Sequence, residues 1–213
     1  MKNHNSGNLG YMTLKLDMSK AYDQVEWSFL ENLIRKIGFN ENWISLMMLC
    51  VKIVSYSILV NGEPKGLIYP TREIWQGDHL SPFLFLLCTE GLHGLIMHAA
   101  IVGVIKGFAL CKRSLELIHL LFADGSLLFC RVMPEEYNKI MDLLTIYENA
   151  SGQKVNRSKI AIFFSKSIPK DTKDIIKGIL GLQKIHQYEK YLGLPFLVSR
   201  GKKASFNYIK ERV

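Results

Sequence analysis

Residues 120–129 read "LLFADGSLLF", two apolar runs joined by Ala-Asp-Gly-Ser. So short a polar link between apolar runs predicts a β-hairpin, because Asp and Gly both tolerate the positive φ of a tight turn. A hairpin at this point puts Asp124 and Gly125 together in the turn. A strand leading into an aspartate occurs once more, at residues 11–17, "YMTLKLD". Two carboxylates carried by strand ends are a common way to hold a divalent cation, since hard Mg²⁺ prefers carboxylate oxygen. The alternative is local: Asp17 caps the helix that follows, and Asp124 only shapes its turn.

The remaining segments alternate irregularly between helix and strand signals. Val25, Phe29, Leu33 and Ile37 form a helical stripe that stops at Gly38, and a second helix is expected over Glu41 to Val51. Asn61-Gly62 predicts a hairpin within "SYSILVNGEPKGLIYPTR". Ser81-Pro82 opens a helix, with Ser able to cap and Pro suited to the first turn. Short strands are expected from Gly103 to Leu121. A helix follows from Pro134 to Gly152, with Tyr137, Ile140, Met141, Leu144 and Tyr147 at helical spacing, and then a strand over 159–165. Residues 166–174, "KSIPKDTKD", read as a solvated connection. The sequence shows no internal repeat, and the pattern favours helices layered on a mainly antiparallel sheet, an α+β fold.

Composition limits the function classes. A chain of 213 residues that is 48% hydrophobic can bury a full core, and its formal charge of +8 suits anionic partners such as nucleic acid. Cys50, Cys88, Cys111 and Cys130 lack zinc-ligand spacing and read as reduced core thiols, implying an intracellular protein, nuclear or cytoplasmic. The first ten residues lack the apolar run of a signal peptide. The longest apolar stretch, Phe83 to Ile105, contains Glu90, His93 and His98, so a core helix is expected in place of a membrane span, with Glu90 a paired structural charge.

Five phrases occur in order: "LKLDMSKAYDQVEW" at 14–27, "QGDHLSPFLFLLCTEGL" at 76–92, "LLFADGSLLF" at 120–129, "SGQKVNRSK" at 151–159 and "YLGLP" at 191–195. Together they resemble the reverse transcriptases of plant non-LTR (LINE-type) retrotransposons across roughly residues 10–200. The resemblance implies a right-hand polymerase palm, a ferredoxin-like antiparallel sheet with packed helices, and a partial set of fingers, in one domain over 1–213. Thumb, endonuclease and RNase H regions are expected to be absent. It implies Mg²⁺ (or Mn²⁺) held by Asp17 and Asp124, an RNA template, a DNA primer and deoxynucleoside triphosphates. Tyr22 matches the aromatic under the incoming sugar; Gln76, Gly77 and Asp78 match the loop at nucleotide and template. Lys159, with Lys154 as a nearby alternative, matches a lysine near the triphosphate. Tyr191 and Gly193 match the primer grip.

The chain departs from the family at the turn itself. The family reads "FADD" where this chain reads "FADG", so Gly125 stands at a lost ligand position. Trp75 and His79 replace the family's Arg and Pro around Gln-Gly-Asp. Asp23 is expected to cap the Val25 helix and not to stand in for the missing carboxylate. The expected function is thus a truncated, catalytically impaired reverse transcriptase domain. The alternatives are a non-catalytic nucleic-acid-binding domain and a decayed element fragment.

Overall fold

A computed structural model describes residues 10–75, 77–109, 115–122, 124–165, 168–180, 190–191 and 194–195. In chain order they form β1 (Tyr11–Ser19), α1 (Trp27–Ile37), α2 (Glu41–Lys52), β2 (Tyr56–Val60), β3 (Glu63–Ile68) and α3 (Ser81–Ile101). There follow β4 (Phe108–Ala109), β5 (Glu116–Leu117), β6 (His119–Phe122), β7 (Gly125–Arg131), α4 (Pro134–Ser151) and β8 (Lys154–Val155). A short 3₁₀ turn (Arg157–Lys159) leads into β9 (Ala161–Phe164), then α5 (Lys170–Leu180), β10 (Lys190–Tyr191) and β11 (Leu194–Pro195).

The main sheet runs β6-β7-β1, with β8 and β9 both pairing the far edge of β1, and every pairing is antiparallel. In β1, Met12, Leu14, Leu16 and Met18 alternate onto the face that meets α3 and α4. Their partners in the core include Leu92 and Ile96 from α3 and Ile140, Leu144 and Tyr147 from α4. Removing one such side chain, as in Leu14→Ala, costs about 2–5 kcal/mol through lost transfer energy and the void left behind. The odd-numbered residues of β1, Thr13, Lys15 and Asp17, project to the other face.

A second core lies between α1, α2 and the first turns of α3, built from Val25, Leu30, Ile34, Ile44, Met48, Ile74, Leu84 and Cys88. Helix α3 joins the two cores, since Leu84 and Cys88 belong to one while Phe85, Leu92 and Ile96 belong to the other. By length and composition α3 could cross a membrane; in the structure one of its faces is packed in these cores. Burial pushes the Cys88 thiol up to about 12, consistent with an inert core cysteine.

The elements expected from the sequence form, with corrections at their ends. Asn61 (φ 54°) and Gly62 (φ 85°) make the β2–β3 turn. Helix α1 is preceded by Glu26 without a side-chain cap, so neither Asp17 nor the exposed Asp23 caps it. Leu80 occupies the cap position of α3, and Ser81 is buried inside the helix. Glu90 is exposed. The connection expected at 166–174 is helical from Lys170: Ile176 is fully buried while Lys170 and Asp171 stay exposed, so the charges that suggested a loop are the wet face of a helix. Residues 166 and 167 and Cys111 lie outside the described residues.

Candidate active site

Asp17 is near the end of β1, directly opposite Gly125 on β7, and the next amide, Met18 N–H, donates to the Asp124 carbonyl at 3.0 Å. This register brings two aspartates that are distant in sequence to neighbouring strand ends. Both line an open cleft of about 810 Å³ together with Ser19, Lys20, Tyr22, Asp23, Asn156 and Lys159. Residues directly opposite in an antiparallel pair share a face, so a side chain at position 125 would stand on the same face as Asp17.

The other edge of β1 supplies a cation. Strand β8 pairs with β1 through Met18 and Val155, and Asn156 N–H then donates to the Asp17 carbonyl at 2.8 Å. The turn closes with Lys159 N–H on the Asn156 carbonyl at 3.0 Å. Lys159 Nζ lies 3.1 Å and 3.4 Å from the two carboxylate oxygens of Asp17. Lys154 is exposed and makes no such contact among the described residues, so Lys159 is the lysine of the pair that reaches the carboxylate.

Gly125 corrects an expectation. It is the first residue of β7, and its φ is outside the left-handed region. Glycine is therefore not required by the turn. A Cβ built there meets nothing nearer than the Phe122 carbonyl oxygen at 3.4 Å, an ordinary contact. The backbone would accept the family's aspartate without strain.

Between β1 and α1 the chain crosses the floor of the cleft, turned by Lys20 at φ 46°. Neighbours on two sides hold this crossing. On one, Glu73 N–H donates to the Val25 carbonyl at 3.0 Å and Ile74 N–H to the Tyr22 carbonyl at 2.9 Å. Glu73 has φ 99°, an uncommon state for a residue with a Cβ, and its carbonyl accepts from Trp27 Nε1 at 2.7 Å. On the other, Glu26 N–H donates to the Ser151 carbonyl at 2.9 Å and Gln153 Nε2 to the Ala21 carbonyl at 2.6 Å. Gly152 has φ 78°, and a Cβ there would lie 2.5 Å from the Gln24 carbonyl oxygen, so close approach as well as backbone shape demands glycine. Tyr22 itself is half-buried, stacked on Phe85 with ring centroids 4.6 Å apart.

The structure does not bring every expected site residue to this cleft. Gly77 (φ 109°) and Asp78 are exposed and do not line it. Asp78 borders a separate pocket of about 40 Å³ with Trp27, Tyr56 and Trp75. Tyr191 pairs with Leu194 in a two-stranded hairpin, as expected for "YLGLP". Gln76 and Gly193 lie outside the described residues. Among the described residues, no group of three or more His, Cys, Asp or Glu is arranged to hold a metal ion. Gln153 and Asn156 carry no signal in the sequence beyond their place in the phrase "SGQKVNRSK", since neither is a residue type that announces chemistry.

Comparison with known proteins decides the family. The family described as reverse transcriptase (RNA-dependent DNA polymerase) matches residues 2–198. The chain belongs to that reverse transcriptase family. An uncharacterized mitochondrial protein of Arabidopsis thaliana is 48% identical to this reverse transcriptase domain over 68 residues, 32% of this chain and 56% of that protein. A retrovirus-related Pol polyprotein from a type-2 retrotransposable element of Drosophila melanogaster is 25% identical over 193 residues, covering 85% of this chain and 17% of the polyprotein. The domain thus spans about half of the first relative and a much smaller part of the second. Its fold is that of the polymerase palm and fingers. Telomerase from Candida tropicalis, in complex with a fragment of telomeric RNA, matches 78% of the chain at a TM-score of 0.60 and 12% identity. The apo telomerase of the same organism, truncated from its C-terminal domain, matches 77% at a TM-score of 0.56 and 14% identity.

Proposed function

We propose that this domain derives from the RNA-directed DNA polymerase of a non-LTR retroelement and keeps its metal-binding corner in a reduced, catalytically impaired form. The observation that carries the reading is the pairing at the end of β1, where Asp17 faces Gly125 and the next residue bonds to Asp124. Asp17 and Asp124, opening on a polar cleft that Asp23 also lines, suit Mg²⁺ or Mn²⁺, which accept one or two carboxylates and complete their shell with water and phosphate oxygen. When bound, such ions lower the pKa of a primer 3′-hydroxyl and stabilise the leaving pyrophosphate. Holding two ions calls for more anionic ligands than Asp17 and Asp124 provide, and residue 125 is the position opposite Asp17 where glycine supplies none.

The chain's own groups have roles consistent with this chemistry. Lys159, on its anchored turn, would sit near the triphosphate and give a proton to the leaving group once drawn off Asp17. Tyr22 would stand under the incoming sugar and reject a 2′-hydroxyl by bulk. Gln76, Gly77 and Asp78 would face nucleotide and template, and Tyr191 with Gly193 would grip the primer end. The partners are then an RNA template, a DNA primer and deoxynucleoside triphosphates, with the net charge of +8 favouring phosphate contact.

The test is primer extension on an RNA template with Mg²⁺ or Mn²⁺, comparing the chain with its Gly125→Asp variant, each also joined to intact fingers and thumb of a relative. Extension should rise by more than the roughly 10–100-fold that an outer-shell partner of a metal ligand is worth, and vanish with Asp17→Asn. Measurable extension that is equal in chain and variant would refute impairment. Salt-sensitive binding of primer-template without extension in either would favour the non-catalytic nucleic-acid-binding reading.

A further inference from the structure

The crossing from Lys20 to Glu26 carries Tyr22, and its fixed carbonyls are held in two different ways. The Tyr22 and Val25 carbonyls are bonded by backbone amides of Ile74 and Glu73, which a side-chain substitution does not remove. The Ala21 carbonyl, one peptide before Tyr22, is bonded by a side chain, Gln153 Nε2, at 2.6 Å across 132 residues of sequence. Gln153 is only 1% exposed. Its Oε1 accepts from the Tyr147 hydroxyl, which also lies 3.2 Å from the Cys88 carbonyl oxygen. Burial holds the Tyr147 hydroxyl far above its ordinary range, so it remains a donor. The amide orientation follows: the NH₂ must face the Ala21 carbonyl and the oxygen must face the tyrosine.

We infer that Gln153 is a positioning residue that sets the Tyr22 platform and, through it, the discrimination between deoxyribose and ribose in the bound nucleotide. This rests on the sugar-facing role of Tyr22 given under the proposed function. Ser151 holds the far end of the crossing through the Glu26 amide, and Gly152 lets Gln24 pass close by, but Gln153 touches the peptide that directly orients Tyr22. An ordinary core polar residue would affect stability alone. A positioning residue also affects what the cleft admits.

The experiment titrates the full chain, with Mn²⁺, against 2-aminopurine deoxyribonucleoside triphosphate and its ribonucleoside counterpart, reading the ratio of affinities. Gln153→Leu keeps the volume and deletes the donor; Gln153→Glu keeps the shape and places an acceptor against the Ala21 carbonyl; Leu144→Ala weakens the same core without touching the crossing. The deoxy preference should fall about fivefold to tenfold in Gln153→Leu, the worth of one hydrogen bond to a buried carbonyl, and likewise in Tyr22→Ala, the two effects being non-additive in the double variant. Leu144→Ala should lower the melting temperature and leave the ratio unchanged. If Gln153→Glu fails to fold, the leucine variant alone decides. A wild-type ratio in Gln153→Leu, beside a lost ratio in Tyr22→Ala, overturns the inference and leaves the proposed function standing. The absence of any deoxy preference in the unmodified chain rejects both the Tyr22 role and the inference.

Discussion

Gly125→Asp should destabilise the protein in chelator and stabilise it in Mn²⁺, and that change of sign follows from the pairing at the end of β1. The substitution meets no steric obstacle, because φ at Gly125 is ordinary and the nearest atom to a new Cβ is 3.4 Å away. The new carboxylate stands opposite Asp17, where directly paired side chains have Cβ atoms about 5 Å apart. Two negative charges at that spacing repel by about 1–3 kcal/mol for an effective dielectric between that of a protein surface and that of water. Replacing a strand glycine returns about 0.5–1 kcal/mol of backbone entropy. At the middle of both ranges the net loss of about 1 kcal/mol corresponds to a fall of about 2–4 °C in melting temperature for a chain of this size. An affinity for Mn²⁺ that is at least about 10–100-fold higher adds about 1.4–2.7 kcal/mol or more, relative to wild type, at concentrations that saturate both proteins. Calorimetry in EDTA and in millimolar Mn²⁺ reads both effects. Equal Mn²⁺ shifts in wild type and variant, or a variant shift that survives Asp17→Asn, would refute the reasoning.

Two further outcomes follow from other parts of the structure. His119 on β6 shares a hydrogen bond with His93 on α3, Nε2 to Nδ1 at 2.8 Å, and desolvation first, then His93, holds its pKa below the ordinary value of about 6.5, with Glu90 opposing. Because the folded pKa lies below the ordinary one, the unfolded chain binds more protons between the two values, so stability should fall as pH drops from about 6.5 toward the folded pKa and level off beneath it. Melting temperature against pH should be flatter below neutrality in His119→Gln. Gly152→Ala should cost about 2–5 kcal/mol, combining a left-handed backbone with a contact too close to the Gln24 carbonyl, as measured by urea unfolding.

What could be read from the sequence was what local rules encode. The alternation in β1, the Asn61-Gly62 turn, and the stops at Gly38 and Gly152 each need only a few adjacent residues, and each forms where expected. The meeting of Asp17 and Asp124 needed the sheet register, which the ordered phrases implied through family resemblance and which chain chemistry alone did not dictate. The ammonium of Lys159 on Asp17 spans 142 residues and depends on β8 docking beside β1, which no local pattern announces. Gln153 is the clearest omission, because a buried glutamine is informative only once its partners are known. Helix α5 was misread because a charged run says which side is wet without saying whether the backbone coils. The Asp124-Gly125 pair was misread in the opposite direction: a strong turn signal was assigned to a glycine that the fold uses as the first residue of a strand.

Mn²⁺ binding to the intact chain, counted by electron paramagnetic resonance, tests most directly the claim that Asp17 and Asp124 form one incomplete metal corner. The expected result is a single weak site, lost in Asp17→Asn and in Asp124→Asn and tightened in Gly125→Asp. Binding that is unaffected by both asparagine substitutions would contradict it.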